Sequence, residues 1–169
     1  MHNHIAYRIA KAFKDAGISA LRFNFRGVGR SSGTYDHGRG EIDDGRAAID
    51  FLVERIPLVP CWVAGFSFGS RVALQLAVED PRVEKVLAAG MATNLFDFDF
   101  FSDLPKPKAF IQSECDEYAA LKDVESLIGR AVGPKKLWTV PNATHLCPGK
   151  FPEFEAAAQA AVQWLVAAE

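Results

Sequence analysis

Apolar positions along this chain switch repeatedly between a helical period and a strand period. Over residues 4–16, Ile5, Ile9, Ala12, Phe13 and Ala16 fall on one helical face, and Gly17 follows as a stop. Residues 18–25 alternate in part and are rich in apolar and aromatic side chains, which predicts a buried strand. A second helix is predicted over residues 41–55, with Ile42, Gly45, Ile49, Leu52 and Val53 along one side. Pro57 and Pro60 punctuate the link to a short apolar run over residues 61–65. A helical run over residues 71–78 follows, carrying Val72, Ala73, Leu76 and Ala77, and Glu79-Asp80-Pro81 ends it. Further strands are predicted at 83–89, 108–112 and 136–140. Between them lie an irregular stretch over 90–107 and a helix faced by Leu121, Val124, Leu127, Ile128 and Ala131. Phe151, Phe154, Ala158, Ala161, Val162 and Leu165 define a last amphipathic helix. Short apolar strands alternating with helices predict an α/β fold, a three-layer, mostly parallel sheet with helices on both faces.

Bulk properties narrow the function classes. The 169 residues suit one domain, 1–169, with nearly half the positions apolar and able to form a core. Nineteen basic residues against twenty-one acidic ones, with no basic run, argue against nucleic acid or an anionic membrane surface as partner. No apolar stretch approaches the roughly 20 residues of a spanning helix. The polar first residues lack a signal-peptide core, so a cytoplasmic location is expected. Cys61, Cys115 and Cys147 are an odd, sparse set that reads as reduced thiols and matches no zinc spacing. Cys115 and Cys147 nearly adjoin Asp116 and His145, so their proximity in space is a further expectation. The loop Arg26-Gly27-Val28-Gly29-Arg30-Ser31-Ser32-Gly33 has no Gly-Lys-Ser/Thr ending and no dinucleotide spacing, so no cofactor is expected there.

The candidate chemistry lies at Gly65-Phe66-Ser67-Phe68-Gly69, between a predicted strand and a predicted helix. A Gly-x-Ser-x-Gly turn in that context forces the serine into a strained conformation and lifts its hydroxyl above the sheet edge. The bland alternative is an ordinary tight strand-to-helix turn. An acyl-transfer serine needs a base and an acid to orient the base. His145 alone among four histidines lies downstream of Ser67, in the loop after the last strand. Its alternative is a solvated or helix-capping histidine. Asp116 follows the strand over 108–112, with Glu114 and Glu117 as rivals; a short carboxylate at a strand end is held more rigidly than Glu114. Asp116 can equally serve as a helix N-cap.

Together, Asn24-Phe25-Arg26-Gly27-Val28-Gly29-Arg30-Ser31, Gly65-Phe66-Ser67-Phe68-Gly69, Glu114-Cys115-Asp116-Glu117 and Pro141-Asn142-Ala143-Thr144-His145 carry a resemblance that spans nearly the whole chain. The chain resembles the α/β-hydrolase superfamily, and within it the small, lid-poor intracellular hydrolases of serine-aminopeptidase or dienelactone-hydrolase type. The resemblance implies Ser67 as nucleophile, His145 as base, Asp116 as orienting acid and the Phe68 N–H as one oxyanion donor. It also implies that the loop bearing Arg26, Gly27, Gly29 and Ser31 borders the active site. Members of the superfamily begin with further strands, and a loop after one of them supplies a second oxyanion N–H. Here Met1-His2-Asn3 reads as the start of the helix that should follow that strand. The implied fold therefore lacks N-terminal strands, leaving a gap between residues 18–25 and 61–65. An upstream start, closure by the neighbouring strands, or a second copy of the chain would each deal with the unpaired backbone there.

The resulting expectation is a serine hydrolase cleaving an ester, thioester or amide of a small-molecule acyl substrate. Its rival is a non-catalytic, truncated hydrolase fold serving as an interaction or dimer module. Phe96-Asp97-Phe98-Asp99-Phe100-Phe101 has three readings: an acyl pocket, a homodimer patch, or core phenylalanines with the aspartates facing water.

Overall fold

The computed structural model describes residues 3–168. Asn3 caps the first helix, its side-chain oxygen accepting from the N–H groups of Ile5 and Ala6 at 2.9 and 3.0 Å. That helix, α1 (His4–Asp15), is followed by α2 (Arg39–Arg55), β1 (Cys61–Phe66), α3 (Phe68–Glu79), β2 (Val83–Ala89), β3 (Lys108–Ser113), α4 (Leu121–Arg130), β4 (Lys135–Val140) and α5 (Phe151–Ala167). α2 begins two residues before the predicted start, because Glu41 turns its carboxylate back onto the N–H groups of Gly38 and Asp36, both at 2.8 Å. The one carboxylate thus supplies acceptors to two N–H groups of the turn that leads into α2.

The strands form one parallel sheet in the order β1-β2-β3-β4. Each new strand pairs with the last, through α3 between β1 and β2, through α4 between β3 and β4, and through a link over 90–107 with no α-helix between β2 and β3. α1 and α5 cover one face over Leu87, Ala89, Ala109, Ile111 and Val140. α2, α3 and α4 cover the other, over Val86, Ala88 and Phe110. Every residue of β3 is buried, the polar Lys108, Gln112 and Ser113 as well as the apolar Ala109, Phe110 and Ile111. Among the described residues, no helix is long and apolar enough to cross a membrane.

One predicted strand does not form. Residues 18–25 join no sheet. Their ends are pinned instead: the Ile18 N–H donates to the Phe13 carbonyl at 3.0 Å, and the Phe25 ring packs edge-on against Phe68 at 5.6 Å. Between these ends Leu21 and Phe23 are exposed. An apolar pattern records which side chains favour burial, whereas a strand also needs a partner for its backbone. Here β1 has no strand on its outer side among the described residues, so neither segment completes the other's ladder.

The stretch after β2 divides its phenylalanines. Phe98 and Phe101 are core residues, Phe96 and Phe100 pack partly buried against that core, and Asp97 and Asp99 are exposed.

Candidate active site

In a parallel sheet all the strands end on one side, so the loops leaving those ends share an edge. In register, Phe66 lies beside Ala89, Ala89 beside Ile111, and Ser113 beside Val140. The residues that follow these positions build the site.

Ser67 joins β1 to α3 with φ of 56°, a left-handed value that side-chain-bearing residues seldom adopt. Its N–H donates to the Ala89 carbonyl at 2.9 Å, tying the bend to the end of β2. Ser70 Oγ and N–H both donate to the Ser67 carbonyl, at 2.6 and 2.9 Å. The bend needs Gly65: a Cβ there would stand 1.9 Å from the Gly69 carbonyl oxygen. Phe68 begins α3, where a backbone N–H has no carbonyl one turn earlier to bond.

The three side chains singled out by sequence meet in one chain. Ser67 Oγ lies 2.9 Å from His145 Nε2, and His145 Nδ1 lies 2.8 Å from Asp116 Oδ2. His145 and Asp116 are buried. The imidazole sits between the Phe66 ring, 4.8 Å away and tilted, and the Tyr118 ring, 4.9 Å away and edge-on. Gly90, with φ of 58°, makes room for this stack; a Cβ there would stand 2.5 Å from Phe66 and 3.3 Å from His145.

Two loops deliver the acid and the base, and the rivals of Asp116 bind them together. Glu114 accepts from the Asn142 N–H at 2.7 Å, and Glu117 accepts from the His145 N–H at 2.9 Å. The His145 N–H holds the Glu117 carboxyl below its usual range. The Cys115 N–H donates to the Ala143 carbonyl and the Glu114 N–H to the Val140 carbonyl, at 2.9 and 3.0 Å. Asp116 caps no helix: its Oδ1 accepts from the Tyr118 N–H at 2.9 Å, while α4 starts after Ala120 with no side-chain cap.

Around this centre the other residues take structural positions. Arg26 reaches away to Asp44 on α2, donating to it from its backbone N–H and its guanidinium at 2.8 Å. Burial pushes the Asp44 carboxyl up, but the Arg26 bonds outweigh it and leave a net lowering. Gly27 and Gly29 turn the loop with φ of 69° and 64°, and Ser31 Oγ donates to the Asn24 carbonyl at 3.3 Å. The same loop's Phe25 and, further on, Tyr35 both pack on Phe68 beside Ser67. Cys115 is exposed and Cys147 buried; burial pushes the Cys147 thiol up, and its Sγ meets Ser113 Oγ at 3.3 Å. Among the described residues, no cluster of three or more His, Cys, Asp or Glu side chains is placed to hold a metal.

Sequence reasoning missed Gln112. It is fully buried at the end of β3 and donates to Asp116 Oδ2 at 2.8 Å. A glutamine inside an apolar strand, four residues before a candidate acid, is the only sign of it the sequence offers.

Comparison with known proteins agrees with the architecture. The family model described as serine aminopeptidase, S33, matches residues 1–127, a span that holds Ser67 and Asp116 and stops short of His145. An uncharacterised protein of Rickettsia prowazekii is 37% identical over 134 residues, covering 77% of this chain and 56% of that protein. The chain thus spans little more than half the length of that relative. Among solved structures, a putative α/β hydrolase of unknown function from Agrobacterium tumefaciens superposes with a TM-score of 0.89 at 32% identity, over 99% of this chain and 79% of that one. A lidless α/β serine hydrolase from Xanthomonas campestris superposes with a TM-score of 0.87 at 32% identity, over 97% and 74%.

Proposed function

This chain belongs to the serine aminopeptidase S33 family of hydrolases, and from that premise we propose that it is a serine hydrolase cleaving an ester, thioester or amide through an acyl-serine at Ser67. One observation carries the reading: the unbroken run of hydrogen bonds from Ser67 through His145 to Asp116. In the first half-reaction Ser67 Oγ attacks the substrate's carbonyl carbon while His145 Nε2 takes its proton. Asp116 holds the opposite ring nitrogen and stabilises the imidazolium. The tetrahedral oxyanion accepts from the Phe68 N–H. When the intermediate collapses, His145 returns that proton to the leaving group. Water then attacks the acyl-serine, gives its proton to His145, and Ser67 leaves with it.

The substrate class in this reading is a small acyl compound. Phe98 and Phe101 pack into the core after β2, which supports an open site, in keeping with the lidless Xanthomonas relative. The three free thiols fit a cytoplasmic location. A fluorophosphonate probe is expected to label the wild-type chain and to leave Ser67→Ala unlabelled. Equal labelling of both proteins refutes the assignment.

A second reading, a non-catalytic module that pairs with another copy, draws on one observation: β1 is unpaired on its outer side among the described residues. Turnover of a short p-nitrophenyl ester by the purified chain, absent in Ser67→Ala, rules the second reading out.

A further inference from the structure

Burying a side-chain amide is costly unless both of its ends are bonded. Gln112 meets that condition at only 1% exposure. Its Oε1 accepts from the Met91 N–H at 2.8 Å. A backbone N–H can only donate, so this contact fixes which way the amide points and turns the NH₂ toward Asp116. Nε2 then donates to Asp116 Oδ2 at 2.8 Å, the same oxygen that meets His145 Nδ1. With Tyr118 N–H on Oδ1, the carboxylate accepts three bonds and is fixed in rotation.

We propose that Gln112 is a positioning residue: it sets the direction from which Asp116 meets His145 and, by sharing Oδ2, how strongly that oxygen draws on the imidazole N–H. The catalytic consequence rests on the serine-hydrolase reading, whereas the hydrogen-bond consequence can be measured without it. The ionisable groups that face this pair are few. Glu117 bonds the His145 backbone, Tyr118 lies against the imidazole, and Cys147 lies beyond Ser113. β1 brings Phe66 and the end of β2 brings Gly90, and neither ionises.

Two variants test the assignment. Gln112→Met keeps the volume and removes both bonds. Gln112→Glu keeps both bonds while its carboxyl is protonated, since the O–H donates to Asp116 and the other oxygen accepts from Met91. Once ionised, it repels Asp116 instead. The first measurement is the proton NMR resonance of the His145 Nδ1–H bridge, assigned by its loss in His145→Gln. In Gln112→Met this resonance is expected to shift, and fluorophosphonate labelling to slow about tenfold or more. Gln112→Glu is expected to label near the wild-type rate at acidic pH and to slow, relative to wild type, as pH rises. An unshifted resonance with unchanged labelling in Gln112→Met overturns the proposal. If Gln112→Met does not fold, a Gln112→Glu protein with the wild-type pH profile overturns it alone. A wild-type chain that never labels defeats the hydrolase reading, and the resonance still decides the role of Gln112.

Discussion

At the residue scale the site depends on backbone that side chains normally avoid. Ser67 holds its positive φ because the structure on both sides fixes it: the Ala89 carbonyl takes its N–H, and Ser70 takes its carbonyl. Gly65 is the steric condition for this, since β1 and α3 pass within a Cβ's reach of each other. Gly65→Ala must push the Gly69 backbone away, and so the helix start that carries the Phe68 N–H. The expected result is a loss of about 1–3 kcal/mol in thermal unfolding. Labelling at Ser67 should fall at least tenfold, more than the lost folded fraction explains. Unchanged labelling in a folded Gly65→Ala protein contradicts this account of the bend. Ser67, Asp116 and His145 were legible in sequence because a short motif and two strand ends mark their places. Gln112 and Glu117 were not. Their roles depend on which backbone N–H comes within reach, Met91 for one and His145 for the other, and that is set only when distant strands pair.

At the scale of elements, apolar content made the strands legible whatever their final burial: β3 is buried throughout, whereas β1 has no fully buried residue. β2 appears with its predicted bounds, and β1, β3 and β4 differ from prediction by a residue at one end. Residues 18–25 failed for a reason that pattern cannot express, since hydrophobic alternation says nothing of a partner's backbone. β3 carries a second surprise, a lysine at its first position with no exposure at all. Lys108 Nζ donates to the carbonyls of Leu104, Lys106 and Val132 at 2.7, 2.9 and 2.7 Å, closing the turn before β3 and the one before β4. Burial pushes its ammonium down to about 8, and nearby Lys135 adds to the effect. The ordinary lysine value is about 10.4, so between roughly pH 8 and 10.4 the unfolded chain binds more protons at this residue than the folded one. Its contribution to stability therefore rises with pH across that window. Lys108→Met leaves three buried carbonyls without a donor and should cost about 1–3 kcal/mol at neutral pH. The gap between wild type and variant should widen from pH 8 to 10, read by urea unfolding at each pH. A gap that narrows means that the three carbonyls, not burial, dominate the lysine's protonation.

For the whole molecule, the decisive feature is an asymmetry in the sheet. β4, at one edge, packs against α4 and α5, while β1, at the other, carries the Ser67 bend and has no strand on its outer side among the described residues. Parallel strands direct alternate residues to opposite neighbours. The Ser67 N–H points to β2, so those of Gly65 and Val63 do as well, and those of Phe66, Ala64 and Trp62 point outward. An open row of this kind is a template for pairing. Amide hydrogen exchange in dilute protein is therefore expected to alternate along β1, with Trp62, Ala64 and Phe66 fast and Val63 and Gly65 slow. If a second copy of the chain covers this edge, the three fast amides become protected as concentration rises, in step with a larger sedimentation coefficient. The site bears on the same experiment, because the Phe68 N–H lies two residues beyond Phe66. A copy seated on the edge would lie next to the oxyanion position, and labelling at Ser67 should then change with concentration too. Alternation that persists at every concentration, with a constant sedimentation coefficient, leaves the chain a monomer whose outer β1 amides face water.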